Sequence, residues 1–233
     1  MEAVVFDLLY TLVHPGGPGR MRWLAEMLGV DRAALKASWN EFEPVLESGR
    51  APGPDPEITW LRAVTNASEA DLARAEAGWD RDRREALLNP PPSSVATLTA
   101  LRERGLKLGV LSNTHALELR AWPESPLAPL VDVVALSHEI GHCKPDREAY
   151  DHVLERLGVA ARSATYVGDG SNNELAGARA AGFAQVVLAE QAAAAAAPGT
   201  LPRLRAQADV AVDSLPDVVT LVRARRAGGP FRG

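Results

Sequence analysis

The chain has 233 residues, 46% of them hydrophobic, and a formal net charge of -5. That balance excludes a disordered or collagen-like chain and argues against general affinity for nucleic acid or anionic membrane surfaces. No run of about 18 apolar residues is present, and Met1-Glu2-Ala3 leads straight into the first strand without a basic segment, apolar stretch and cleavage site. A cytoplasmic protein acting on a small-molecule substrate, as a monomer or homodimer, is therefore expected. The single cysteine, Cys143, can form neither an internal disulfide nor a Cys-rich zinc site, in keeping with a reducing compartment.

In chain order, Val4-Val5-Phe6 is an apolar run that ends in Asp7, with Thr11 four residues on. This predicts a buried strand with Asp7 at its C-terminal edge, where open α/β sheets do their chemistry. The turn-rich segment from His14 to Gly19 then opens onto a helical stretch. Trp23, Leu24, Met27 and Leu28 recur at helical spacing; Asp31 caps a second helix carrying Leu35 and Trp39; Asp55 caps a third; Ser68-x-x-Asp71 resembles a capping box. Pro90-Pro91-Pro92 closes the stretch with a stiff connector. Trp23, Trp39, Trp60 and Trp79 all fall inside it and are read as its own apolar core rather than as a pocket lining.

Beyond the prolines, helices and strands alternate. A helix over 94–104 leads to the strand Leu108 to Leu111, which ends in Ser112-Asn113. A short irregular stretch precedes a strand over 131–136, and a helix over 147–157 precedes the strand Thr165 to Val167. A helix over 174–181, a strand over 185–188, an edge strand over 210–212 and a last helix over 216–225 follow, with a frayed tail over 227–233. The alanine run Ala192 to Ala197 fits either a short helix or a surface loop. The pattern predicts an α/β, Rossmann-like doubly wound parallel sheet, built from residues 1–14 and 90–233, with an all-α unit inserted at 15–89.

Three further strand ends bring polar residues to the edge that carries Asp7. Ser112-Asn113 offers a hydroxyl and backbone amides able to hold phosphate oxygens, and equally suits a simple turn. Lys144 precedes Pro145-Asp146; only Lys36, Lys107 and Lys144 are lysines among 25 basic residues, so a compact point charge stands where the chain otherwise writes arginine. In Gly168-Asp169-Gly170-Ser171-Asn172-Asn173-Glu174, Asp169 ends a strand and Glu174 opens a helix, whose dipole alone also favours an acid there. His14 and Arg20 flank the entry loop and are candidates for a proton donor and an anion clamp.

These four segments, in this order, resemble the motifs of the haloacid dehalogenase-like hydrolase superfamily, and the helical stretch resembles the small cap that many members insert after the first strand. The resemblance implies a hydrolase in which Asp7 is the nucleophile, Thr11, Ser112, Asn113 and Lys144 hold the transferring group, and Mg²⁺ is bound by Asp7, the backbone carbonyl of Leu9, Asp169 and, through water, Glu174. Oxygen donors of this kind suit a hard cation. The chain departs from the superfamily's Asp-x-Asp-x-Thr at its second Asp, which is Leu9: the carbonyl is kept and the proton-donating acid is lost, a change that typically costs ~10²–10⁴ in rate. The expected activity is a Mg²⁺-dependent phosphatase of a small phosphorylated metabolite, working through an Asp7 aspartyl-phosphate. The alternatives are a carbon–halogen hydrolase, whose leaving group needs no proton, and a slow paralogue that binds a phosphorylated ligand. The dehalogenase branch carries a Tyr at position 9; Tyr10, one step later on an extended strand, is expected to face the other way. The phosphonate-cleaving branch is disfavoured, since Lys36 is the one amine in the helical stretch.

Overall fold

A computed structural model describes residues 1–15, 19–196 and 198–222. The expected tail over 227–233, the end of the last helix beyond 222, and Gly16, Gly17 and Pro18 of the entry loop lie outside the described residues. The first strand, β1 (Ala3–Phe6), is followed by four helices, α1 (Arg20–Leu28), α2 (Arg32–Glu47), α3 (Pro56–Val64) and α4 (Glu69–Leu88). Then come α5 (Pro92–Glu103), β2 (Lys107–Ser112), α6 (Ala116–Leu119), β3 (Val133–Leu136), α7 (Ser137–Ile140), α8 (Arg147–Leu157) and β4 (Ala164–Gly168). The chain closes with α9 (Glu174–Ala181), β5 (Gln185–Ala189), α10 (Glu190–Ala196), α11 (Leu201–Gln207), β6 (Val210–Val212) and α12 (Leu215–Leu221).

The six strands form one parallel sheet in the order β3-β2-β1-β4-β5-β6. β1 is central and wholly buried, which is why it reads as unbroken apolar sequence. Its side chains alternate: Val4 and Phe6 join an apolar layer with Leu98 and Leu101 of α5 and Val218 of α12, while Ala3 and Val5 pack with Tyr150 and Val153 of α8 and Leu175 of α9. Gly109, in the middle of β2, is required by close approach, since a Cβ there would press on Leu157 and Val153 of α8 at 3.0 Å. Residues Ala192 to Ala196 of the alanine run lie in helix α10, with Ala192 and Ala193 buried.

Residues 20–88 contain no strand and bury an apolar cluster of their own. Trp39 stands 5.1 Å from both Trp60 and Trp79, edge-on or tilted, and all three are buried. Asp31 caps α2 through the amide of Ala34 at 2.8 Å, and Ser68 with Asp71 forms the expected capping box. Asp55 precedes α3 without a capping bond and is turned towards Arg120 at 3.4 Å.

A buried charge cluster ties these helices to the sheet layer. Glu118 of α6 accepts from Arg20 of α1 at 2.8 Å and from Arg83 of α4 at 3.0 Å. His115, just before α6, reaches Glu57 of α3 at 2.5 Å through Nδ1 and stands 3.5 Å from Glu118 through Nε2. Burial on its own would lower the His115 pKa, but Glu118 and Glu57 more than offset it and push it up to about 9. The pKa of Glu118 is held well below the usual carboxylate range: burial opposes this, and His115, Arg83 and Arg20 outweigh it.

A histidine whose pKa rises on folding stabilises most fully below its unfolded value of 6.5, and that contribution is lost as pH rises through about 9. Urea midpoints should therefore fall between these two pH values, by on the order of 3 kcal/mol in unfolding free energy. In His115→Gln the decline should flatten; an equal slope in both proteins would show that His115 is not the titrating group.

Candidate active site

Because β1 is central, the chain leaving it emerges between two neighbouring strand ends. The register sets Phe6 beside Val110 of β2 and Val167 of β4, so Asp7 stands between Ser112, which ends β2, and Asp169, which follows β4. The Asp7 amide still donates to the Val167 carbonyl at 2.9 Å, which fixes its backbone to the sheet. Immediately afterwards the chain folds back: the amides of Leu12 and Val13 both donate to the Leu8 carbonyl, and Tyr10 adopts φ 69°. A left-handed tyrosine ends the strand alternation on which its expected direction rests. Tyr10 is instead 40% exposed, with the Arg83 guanidinium 6.0 Å from its ring. Leu9 turns its side chain onto the apolar layer of the sheet and carries no proton to the site.

Lys144 reaches this edge from the loop before α8. Its Nζ donates to Asp7 Oδ1 at 2.6 Å and to Glu174 Oε2 at 2.5 Å, with Tyr166 Oη at 3.3 Å. Burial would lower its pKa, yet the two carboxylates hold it well above the usual lysine value, so the amine stays charged. Asn113 fixes the loop that carries it: the Asn113 side chain donates to the Lys144 carbonyl at 2.9 Å and accepts from the Lys144 amide at 2.7 Å. Both ends of its side-chain amide are thus spent on positioning this loop, which leaves the expected contact with substrate oxygens to the Ser112 hydroxyl and the backbone amides.

Glu174 is held from several sides. Oε2 accepts from Lys144 and from Tyr166 at 2.7 Å, Oε1 accepts from the Gly170 amide at 2.9 Å, and Tyr150 donates to the Glu174 carbonyl at 2.8 Å. Glu174 is thus the second anchor of Lys144, and its carboxylate also stands with those of Asp7 and Asp169 in a group able to surround a cation. Glycines make room for it: a Cβ on Gly168 would overlap the Glu174 carboxylate, and one on Gly177 would meet Tyr150 Oη at 2.6 Å. Tyr166 and Tyr150 were not singled out by the sequence, where each reads as an apolar-face residue of a strand or helix.

Three buried polar atoms at this edge, Asp7 Oδ2, Thr11 Oγ1 and Ser112 Oγ, lack a well-formed protein hydrogen bond, although the Thr11 hydroxyl stands close enough to Asp7 to pull its pKa down. Buried polar groups are ordinarily satisfied, so a cluster of exceptions marks a place built for a polar ligand. Ligand oxygens of Asp7, Asp169 and Glu174 lie within 4.8 Å of one another. Burial raises the Asp7 pKa, Lys144 opposes this, Asp169 adds to it, and the net direction is upward. A divalent cation between Asp7 and Asp169 would relieve that repulsion, and the all-oxygen donor set fits Mg²⁺.

His14 and Arg20 are not brought together. His14 is exposed and lines a cleft of about 450 Å³ with Thr11, Val212 and Ser214. The ring is nonetheless partly shielded from water by its neighbours, which lowers its pKa against the pull of Asp169. Arg20 is bound to Glu118 and sandwiched between Trp39 and Trp79, 4.7 Å from each ring centroid. The expected anion clamp is therefore a structural cation at the helix junction, since its charge is neutralised within the protein.

The family model of haloacid dehalogenase-like hydrolases matches residues 1–182, and the chain belongs to that family. It is 36% identical over 202 residues to the phosphoglycolate phosphatase of Rhodospirillum rubrum, covering 80% of this chain and 79% of that one. It is 33% identical over 129 residues to the glyceraldehyde 3-phosphate phosphatase of Methanopyrus kandleri, a match that spans about half of either chain, 54%. Among solved structures, the L-2-haloacid dehalogenase RSc1362 superposes with a TM-score of 0.67 at 23% identity, covering 96% of this chain and 99% of that one; this likeness is one of fold.

Removing the Lys144 cation would leave Asp7 and Glu174 buried without compensation. Lys144→Met should lower unfolding free energy at pH 7 by about 3–5 kcal/mol, the usual penalty for breaking a buried pair from one side. A loss below about 1 kcal/mol in urea denaturation would mean that the carboxylates do not depend on this amine.

Proposed function

We propose that the protein is a Mg²⁺-dependent phosphatase of a small phosphorylated metabolite, with Asp7 as nucleophile and the helical block 15–89 as its cap. The observation that carries this reading is the set of buried atoms without a well-formed protein hydrogen bond, Asp7 Oδ2, Thr11 Oγ1 and Ser112 Oγ, gathered beside a charged lysine and a second carboxylate. Lys144 engages one oxygen of Asp7 and leaves the other free to attack phosphorus in line with the leaving group. The Ser112 and Thr11 hydroxyls are available to the non-bridging phosphoryl oxygens, and Lys144 offsets the negative charge that Asp7 and the phosphoryl group bring together. Asp7, Asp169 and the Leu9 carbonyl would hold Mg²⁺. Bound there, the ion supplies neutralisation of the phosphoryl charge. Water then hydrolyses the acyl phosphate on Asp7, which releases inorganic phosphate and restores the carboxylate. The phosphatase names of the relatives at 33% and 36% identity support the same class.

A second reading, carbon–halogen hydrolysis, is favoured by one observation: the side chain at position 9 offers no acid, and a halide departs without a proton. Asp169 weighs against it, because a second buried carboxylate beside a nucleophilic one serves a cation and hinders a reaction that uses none.

The two readings separate on a panel of sugar, alkyl, aryl and acyl phosphates, phosphonoacetaldehyde and 2-haloacids, assayed with Mg²⁺ and with chelator. Phosphate release that chelator abolishes is expected. Halide release that persists in chelator would instead establish the second reading. Asp7→Asn should abolish turnover, and Asp169→Ala should eliminate the Mg²⁺ heat seen in isothermal titration of the wild type; undiminished binding by Asp169→Ala would contradict the metal assignment.

A further inference from the structure

Leu9 leaves open which group protonates the departing oxygen, and the end of α2 supplies a candidate that motif reading passes over. A cleft of about 670 Å³ runs between the helical cap and the core. Asn113, Lys144 and Asn173 form its core wall, and Pro44, Glu47 and Arg50 form its cap wall. Lys144 lines this cleft and its amine pairs with Asp7, so the cleft adjoins the loop that carries that pair.

Glu47 is held over the cleft by a backbone contact. Two residues on, Gly49 has φ 67°, and a Cβ there would overlap the carbonyl oxygen of His138 in α7, so the C-terminal end of α2 sits directly on a core element. Among the described residues the Glu47 carboxyl has no hydrogen-bond or ion-pair partner, whereas the nearby Arg50 is bonded to Ser48 at 2.8 Å. Its surroundings favour the protonated form. Partial burial comes first, then the negative charges of Glu43 on the same helix and Glu118 on α6; His115 and Lys144 pull the other way, and the pKa is pushed up to about 7. The carbonyl-rich end of α2, with no basic residue in its last turn, adds repulsion of the same sign. Cys143, on the core side, feels the Glu47 charge as well, and His142 lines the same cleft.

We propose that Glu47 is the proton donor to the leaving group, acting from the cap in place of the acid absent at position 9. The inference rests on the phosphatase reading. An Asp7 oxygen forms a bond to phosphorus as the bond from phosphorus to the ester oxygen breaks; that oxygen keeps the electron pair and takes the Glu47 proton, leaving as an alcohol. The Glu47 carboxylate then accepts a proton from the water that attacks the acyl phosphate, and phosphate departs with Asp7 and Glu47 both restored. A carboxyl with a pKa near the working pH suits both halves of this exchange.

The test compares wild type and Glu47→Gln, each with Mg²⁺, on an alkyl phosphate and on p-nitrophenyl phosphate, with the first turnover followed separately from the hydrolysis of the acyl phosphate. For Glu47→Gln, the single-turnover release of the alcohol should fall about 10²-fold or more, while that of p-nitrophenolate, which departs unaided, should fall by less than about threefold. The wild-type alkyl profile should decline above pH of about 7, and that limb should vanish in Glu47→Gln. If Glu47→Gln lowers the first turnover of both esters equally, or of neither, Glu47 is not the donor. If the wild type hydrolyses neither ester, the phosphatase reading itself falls, and this role with it.

Discussion

A lysine amine with almost no access to water has to be surrounded by acceptors, and Lys144 sets this requirement for the whole reaction edge. Two carboxylates and a phenol converge on it from β1, β4 and α9. The features around them follow from bringing those groups within about 3 Å of one nitrogen. Gly168 and Gly177 lack side chains where the Glu174 carboxylate and the Tyr150 ring must pass. Asn113 clamps the Lys144 backbone so that the amine cannot withdraw with its loop. The cost of dehydrating these charges is offset only while the set is complete, which makes the edge a single cooperative unit.

Among the described residues two buried charge clusters stand out, and they do different work. At the helix junction, His115, Arg20 and Arg83 face Glu57 and Glu118, so positive and negative groups are close to balance. That cluster binds the helical block to the sheet layer. At the reaction edge, one lysine faces Asp7, Glu174 and the neighbouring Asp169, so negative charge is in excess and several polar atoms lack a well-formed protein hydrogen bond. The first cluster is self-sufficient. The second, on the phosphatase reading proposed above, would be completed by a cation and by a group rich in acceptor oxygens.

The sheet is legible in the sequence because each strand is a short apolar run ended by a polar or turn residue, and the helices because their apolar spacing and caps are local. Asp7, Ser112, Lys144 and Asp169 are found for the same reason: each lies at a predicted strand end or loop, and the parallel topology brings those ends to one edge. The partners that side chains choose are another matter. The Asn113 side chain binds Lys144, Glu174 accepts from Lys144 and the Gly170 amide, and Arg20 is captured by Glu118 and two tryptophans. Each choice depends on a residue distant in sequence, and no periodicity encodes it. Tyr10 escapes for a backbone reason, since a single left-handed residue after a strand cancels the alternation rule. Glu47 escapes because it looks like one more acid on a polar helix, and only the seating of α2 on His138 gives it a position.

The central place of β1 has a consequence for how the molecule is made. Ala3 pairs with Lys107 on one side and with Ala164 on the other, so the strand in the middle of the sheet is synthesised before either neighbour, with the whole helical block in between. Until β2 is released, this apolar segment has two open edges and nothing to pair with; until β4 follows, one edge remains open. The helical block, with its local contacts and its own tryptophan-rich interior, can collapse during that wait. Completion of the sheet thus depends on loop closures over long stretches of chain, and the Asp7 edge is assembled among the last parts, when the Asp169 and Glu174 segment arrives beside it.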